Sequence, residues 1–333
     1  MSTNNDNHQA RNGPGATAGW RKFAKASILL AVIGLVLTCW GGRYWYLAGA
    51  AYWVPVYFIA ALLGVLGSLP GGSRGWLAAG LLCILASAGL LAPGYFPPPN
   101  PAPAGQQPNF RILQFNTYKH RSNPDALIKL VRETSPDIIL FQEFDKEWEA
   151  ALKPLETLYP HHTGFPRYPG GGPDLGQYWR TDSSTPQVLA ESGVPAVTTT
   201  LMINQRPVQI FNVHTAAPFS PRRARHHREQ MHALALHLRG TSSPVIVVGD
   251  LNTTPWSQYY QELLRHSDLI SARQGFGILG SWPSFFGLLR VPLDQVLVSA
   301  EINVIRCRVG PGLGSDHRPV LTDLYIPPLK NKD

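Results

Sequence analysis

Cysteine is scarce: three occur in 333 residues, Cys39 and Cys83 within apolar stretches and Cys307 alone in the C-terminal part. A disulfide scaffold is excluded. Charged residues make up 15% of the chain against 44% for the apolar set, which excludes wholesale disorder and leaves ample material for a core. Acidic residues are nearly missing from the first third, where residues 1–108 hold Asp6 alone beside Arg11, Arg21, Lys22, Lys25, Arg43 and Arg74. Much of the formal net charge of +8 sits there, and the remainder is close to balance. A broad nucleic-acid footprint, whose strength grows with each phosphate neutralised, is therefore not indicated by charge.

What fills the first third is apolar. Three stretches, about Ala24 to Trp40, Tyr46 to Leu69 and Trp76 to Phe96, contain no carboxylate. A helix crosses the hydrocarbon core with roughly 17–25 such residues. The second and third suffice outright, and the first does so if Lys25 extends to the headgroups. Trp20, Trp40, Tyr44, Trp45, Trp76 and Tyr95 fall near the ends, where amphipathic rings favour the interface. A cleaved signal peptide is the other reading of the first stretch, with Ala48-Gly49-Ala50 as a faint cleavage site, and would still leave two spans. The basic residues before the first stretch put the N-terminus inside, so three crossings deliver the rest outside, to the periplasmic or extracellular face of a bacterial inner membrane. With no ionisable group in mid-span, the helices read as an anchor rather than a pore. The expected organisation is a tail at 1–23, three transmembrane helices over 24–96, a Pro-rich linker at 97–108, a globular domain over 109–328 and a short tail at 329–333.

The globular part alternates strand-like runs with amphipathic segments, the pattern of a mixed α/β domain. Ala126, Leu127, Leu130 and Val131 follow helical spacing before Pro136, and Pro221 to Arg239 reads as a second helix closed by Gly240. The strands end in hard polar groups: Ile112 to Phe115 runs into Asn116, Ile138 to Phe141 into Gln142-Glu143, Val208 to Phe211 into Asn212-Val213-His214, and Val245 to Val248 into Gly249-Asp250-Leu251-Asn252. Leu293-Asp294 opens another strand, and Ser315-Asp316-His317 precedes the last. A single carboxylate at a strand end is an ordinary turn or cap residue. Six such endings in one domain are not ordinary, because strand termini are where sheet enzymes assemble sites. Carboxylate and amide oxygens with two histidines suit Mg²⁺ and phosphate better than zinc.

In this order and spacing the series resembles the endonuclease/exonuclease/phosphatase superfamily, and with three N-terminal spans it is similar to that superfamily's membrane-tethered bacterial branch. The resemblance covers about 108–328 and implies a four-layer α/β sandwich, two packed mixed sheets flanked by helices, behind the three-helix anchor. It also implies a Mg²⁺ site, with Mn²⁺ as a substitute, at Glu143 with Asn116 and Asp316. Asp250 would orient or deprotonate the attacking water, Asn252, His214 and Asn212 would bind phosphate oxygens, and His317 would be the catalytic imidazole. Neighbours on an extended chain face opposite ways, so Asp294 rather than Asp316 is expected to orient His317.

The stretch Gly170 to Arg180 with Ser183-Ser184 matches the family pattern poorly, which leaves the substrate loops open. The run Arg222, Arg223, Arg225, His226, His227 and Arg228 is either a solvated helix start or a platform for an anion. Trp256, Tyr259 and Tyr260 read as packing residues, and His120, His161, His162, His232 and His237 show no ligand spacing. The expected activity is hydrolysis of a phosphate ester outside the cytoplasm, most plausibly a diester in a lipid headgroup, nucleotide or nucleic acid. An external DNA endonuclease and an inactive membrane-tethered binding module of the same fold are the alternatives, and no protein partner is inferable. A reporter fused after Asp333 is expected to be active only outside the cytoplasm; activity confined to the cytoplasm would overturn this topology.

Overall fold

The computed structural model describes residues 14–70, 72–98, 101–118, 123–165, 175–189, 193–241 and 243–329. Three helices long and apolar enough to cross a membrane come first. Helix α1 (Pro14–Trp40) begins upstream of the expected apolar stretch and carries Arg21, Lys22 and Lys25 within its body. The second stretch is not one α-helix. It opens as a 3-10 helix over Trp45–Trp53 and continues as α2 (Val54–Ser68) with Pro55 in its first turn, a position where a missing N–H costs nothing. Helix α3 (Arg74–Leu91) follows. Leu29, Ile33, Leu62, Leu66, Leu82 and Leu85 are exposed on these helices, a surface that hydrocarbon satisfies and water does not. Inside the bundle, a Cβ at Gly64 would collide with Ile28 and one at Gly80 with Val65, the close approach that small residues allow.

The globular part contains β1 (Phe110–Asn116), α4 (Pro124–Thr134), β2 (Ile138–Gln142), α5 (Lys146–Ala151), β3 (His161–Phe165), β4 (Leu175–Trp179), β5 (Gln187–Val188), β6 (Ala196–Ile203) and β7 (Arg206–His214). Then come α6 (Pro221–Leu238), β8 (Val245–Asp250), α7 (Gln258–Ser267), β9 (Leu269–Ser271), β10 (Asp294–Ser299), β11 (Asn303–Val309) and β12 (Val320–Tyr325). Capping follows local chemistry: Asn123 accepts from the Ala126 amide at 3.1 Å, and Ser220 from the Arg223 amide at 3.3 Å, which relieves orphan donors at the starts of α4 and α6.

Two six-stranded sheets form, in the orders β11-β12-β1-β2-β4-β3 and β5-β6-β7-β8-β10-β9. Each has one parallel pair at its centre, β1 with β2 and β7 with β8, and antiparallel pairs elsewhere. Ile112, Leu140, Ile210, Ile246 and Val296 fill the space between the sheets. Helices α4 and α5 cover one outer face through Leu127, Val131 and Trp148, while α6 and α7 cover the other through Met231, Leu234 and Leu263. The result is the expected four-layer sandwich of two mixed sheets flanked by helices. Of the poorly matching stretch, Leu175–Trp179 is strand β4; Gly170 to Asp174 and His120 lie outside the described residues.

Anchor and sandwich are packed together. Trp256 is buried in a cluster with Ala31, Val54, Tyr57 and Cys83 of the three helices. Gln258 donates to the Cys39 carbonyl, Tyr259 to that of Gly42 at 3.0 Å, and the Gly277 amide to that of Gly94 at 2.6 Å. Each contact uses the end of a span that lies on the sandwich side of the bundle.

His227 of α6 is fully buried: one ring nitrogen lies 2.9 Å from the Ala216 carbonyl and the other has no partner. Burial holds its pKa down, from 6.5 to about 4. The unfolded chain therefore takes up a proton first as pH falls, so stability present above pH 6.5 is lost between there and about pH 4, by about 3 kcal/mol in full. His227→Gln keeps a donor without the proton uptake. Thermal unfolding in detergent between neutral pH and pH 4.5 is expected to show a smaller drop in Tm for the variant than for the wild-type chain; equal drops would refute the assignment.

Candidate active site

The strand directions bring the polar endings to one edge. Strands β1, β2, β7 and β8 end there, delivering Asn116, Glu143, His214 and Asp250. Strand β10 runs antiparallel to β8 and starts there, with Asp294 opposite Asp250. In the parallel β7–β8 ladder His214 is opposite Asp250. His317 precedes β12, which pairs antiparallel with β1. Gly249 is required at its position, because a Cβ there would run into the Val213 carbonyl of the neighbouring strand. Glu143 and Asn252, on either side of the site, both hold positive φ, at 54° and 46°, a strained conformation that side chains rarely adopt.

Asp250, Asp294 and His317 are buried and offer ligand atoms all within 4.8 Å of one another. His317 Nδ1 lies 2.8 Å from Asp294 Oδ2, and His317 Nε2 lies 3.6 Å from Asp250 Oδ2. His214 Nε2 approaches the same Asp250 oxygen at 3.7 Å, and the Asn116 amide donates to it at 3.1 Å. The Asn252 backbone amide binds the other oxygen of Asp250 at 2.8 Å. Asn116 also stands 3.5 Å from Glu143 Oε1.

These contacts set the charges. Burial works against a charged His317, but the carboxylates of Asp294 and Asp250 overcome it and hold the imidazole up to about 10. Burial also tends to raise Asp294, yet the His317 charge and hydrogen bonds from His317, Ser281 and Gln114 keep it below its ordinary value. Asp250, for which burial dominates over the attraction of His317, is pushed up to about 7. The edge thus presents an imidazole favoured in its charged form beside a carboxylate whose burial raises its pKa, a pairing suited to proton transfer.

Asn212 is elsewhere. Its amide donates to the Phe141 carbonyl at 3.1 Å and the Gly176 carbonyl at 3.0 Å, and its oxygen accepts from Gln142 at 2.7 Å. It lies one step deeper than His214, saturated in a polar seam between the sheets, with nothing left for a phosphate. The seam continues from Gln142 to Gln114 and on to Asp294 Oδ1 at 2.7 Å. Asp316 is engaged elsewhere: its Oδ2 accepts from the Trp282 indole at 3.0 Å, while its buried Oδ1 has no hydrogen-bond partner among the described residues.

Four contributors carried no sequence signal. Arg273, fully buried, donates to the Asp294 carbonyl through Nη2 at 2.9 Å. Ser284 holds the His317 loop through the carbonyls of Ser315 and Asp316 at 2.6 and 2.7 Å. Trp282 reaches Asp316, and Tyr52, from the anchor, donates to the Asn252 carbonyl at 2.7 Å. Each is an isolated residue in an unremarkable stretch, placed only by the fold.

The model of the Endonuclease/Exonuclease/phosphatase family matches residues 113–317. The chain belongs to that family. A search of curated proteins finds no match. Among solved structures, an endonuclease/exonuclease/phosphatase from Bacteroides vulgatus is similar at TM-score 0.53 and 18% identity, covering 66% of this chain and 99% of that one. The human Nocturnin catalytic domain, solved with a bound sulfate anion, is similar at TM-score 0.51 and 18% identity, covering 66% and 94%. A mannosyl-6-phosphatase from Bacteroides thetaiotaomicron is similar at TM-score 0.50 and 16% identity, covering 65% and 100%. All three share the family sandwich.

Asp294→Asn removes the charge behind the His317 ring. In histidine-labelled, metal-free protein followed by NMR, the His317 pKa is expected to fall by about 1–3 units, the usual worth of one close opposite charge; an unmoved titration would mean that Asp294 does not set the charge on the ring.

Proposed function

We propose that this family member is a membrane-anchored, Mg²⁺-dependent phosphodiesterase whose site faces the outside of a bacterial inner membrane. The observation that carries the reading is the buried array in which Asp294 backs His317 while Asp250 sits between His317 and His214. An imidazole backed by one buried carboxylate and facing a second is an arrangement that serves proton transfer in a hydrolase.

The residues divide the work as follows. Asp250 takes a proton from the attacking water. Asp294 fixes the ring of His317 so that its charged Nε2 side faces the reacting phosphate, where negative charge accumulates on the phosphoryl oxygens. His214 and Asn252 flank the same space; one Asn252 amide N–H is committed to the Thr215 carbonyl at 2.9 Å, which fixes the side chain's direction. The donor set fits a hard divalent cation, since Glu143, Asn116 and Asp316 offer oxygen and Asp316 Oδ1 is buried with no hydrogen-bond partner among the described residues. Those three would hold the ion, and when bound it would neutralise phosphoryl charge.

The full-length chain in detergent is expected to hydrolyse bis-p-nitrophenyl phosphate with Mg²⁺ or Mn²⁺ and to lose that activity in EDTA. Glu143→Gln is expected to raise the metal concentration required. His317→Ala is expected to cut kcat at least about a hundredfold with little change in KM. Hydrolysis untouched by EDTA would remove the metal from the reading, wild-type rates in His317→Ala would remove His317 from the mechanism, and no hydrolysis by the wild-type chain would leave the binding module as the better account.

A further inference from the structure

Single exposed apolar residues on a protein surface need no explanation, but a contiguous patch does. Between β9 and β10, Phe285, Phe286, Leu288 and Leu289 are exposed within five residues, Phe285 at 75% and Leu288 at 101%. The patch is not remote from the anchor. A groove of about 430 Å³ has Tyr52, Trp53 and Val56 on one wall, from the start of the second span, and Leu279, Leu288 and Leu289 on the other. The base of the same loop is tied to the end of the third span, where the Gly277 amide meets the Gly94 carbonyl. Trp53 lines the groove, and Tyr95 and Phe96 are exposed just after Gly94; aromatic rings at the ends of membrane helices favour the headgroup layer. Four exposed Phe and Leu side chains stand beside these helix ends, where the boundary of a leaflet would lie in a bilayer.

The groove also leads to the site. Tyr52 lines it, meets the Trp282 ring edge-on at 6.4 Å, and donates to the Asn252 carbonyl. Trp282 in turn binds Asp316 beside His317. Cations stand along the way. Arg290 and Arg308 line the groove, and Arg318 is close enough to Arg290 to help partial burial hold that guanidinium below its ordinary value. Arg318 Nε is buried and has no hydrogen-bond partner among the described residues. A second basic group lies at the same level: exposed Arg222, Arg223, Arg225 and Arg228 occupy the first turns of α6, where His227 packs edge-on against Tyr259, the residue bonded to Gly42 between the first two spans. Cations over an apolar contact surface are the arrangement that anionic headgroups attract.

We propose that the substrate is the phosphate ester of a membrane lipid drawn from the leaflet in which the spans end, its acyl chains lying against the 285–289 loop and groove and its phosphate passing Arg290 and Arg318 to the site. This rests on the phosphoesterase reading and names its substrate class. The reaction is hydrolysis: the water oxygen bonds to phosphorus, the ester P–O bond breaks, and one water proton ends on the departing alcohol.

The test uses the full chain in nanodiscs of total bacterial polar lipid, with Mg²⁺, and mass spectrometry of released products. Bis-p-nitrophenyl phosphate and plasmid DNA serve as soluble probes. Cleavage of a lipid phosphoester is expected, and replacing Phe285, Phe286 and Leu288 together by Ser is expected to lower the ratio of lipid to soluble turnover at least tenfold. A nitroxide on Leu288→Cys in a Cys39→Ser background is expected to be more accessible to oxygen than to a water-soluble nickel complex. Turnover of a soluble probe with no lipid cleaved, or a nitroxide that reports water, overturns the lipid proposal and leaves the phosphoesterase standing. No turnover of any probe overturns both.

Discussion

One carboxylate holds the candidate catalytic edge together. Asp294 starts the strand beside Asp250, receives Gln114 from the opposite sheet on one oxygen and His317 on the other, and has Arg273 on its main-chain carbonyl. Two sheets, the loop before the last strand and the segment leading to the membrane-side loop converge on a residue with no exposed surface. A buried charge is tolerated only when paired and hydrogen-bonded, and every bond that satisfies Asp294 also positions something else. The imidazole is oriented by the same arrangement that registers the sheets.

The polar seam extends that logic inward. Gln114, Gln142 and Asn212 run side chain to side chain between layers otherwise filled by Ile, Val and Leu. A sliding of one sheet by a single residue would break the chain of bonds and leave buried amides unsatisfied, at a cost that apolar packing alone would not impose. The sandwich is therefore locked in one alignment close to where alignment matters for the reacting groups.

Much of this was legible in the sequence. Central strands such as Val245–Asp250 are uniform apolar runs ending in a polar group, and with the amphipathic segments between them they indicated a mixed α/β domain; the four-layer arrangement came from the family resemblance. The peripheral strands β3 and β5 were not readable, since His161–Phe165 and the exposed pair Gln187–Val188 lack both apolar runs and clean alternation. Asn212 and His214 share a strand face, as two-residue spacing requires, yet one is sealed in the seam and the other reaches the edge; spacing gives the face and not the depth. Tyr52 is separated from Asn252 by 200 residues and belongs to the apolar helices rather than the sandwich, and no local pattern encodes such a meeting. The second span opened as a 3-10 helix because its first residues pack against the sandwich as well as the bundle.

The docking of Trp256 among the three apolar helices has a practical bearing on how the protein can be handled. An enzyme joined to its anchor only through a Pro-rich spacer could be cut free and purified as a soluble fragment. Here severance would uncover Trp256 and strip Gln258, Tyr259 and the Gly277 amide of their main-chain acceptors. It would also take away the tyrosine that steadies Asn252. The three helices and the sandwich are thus one packed unit, and a fragment without the helices would expose what the whole chain buries.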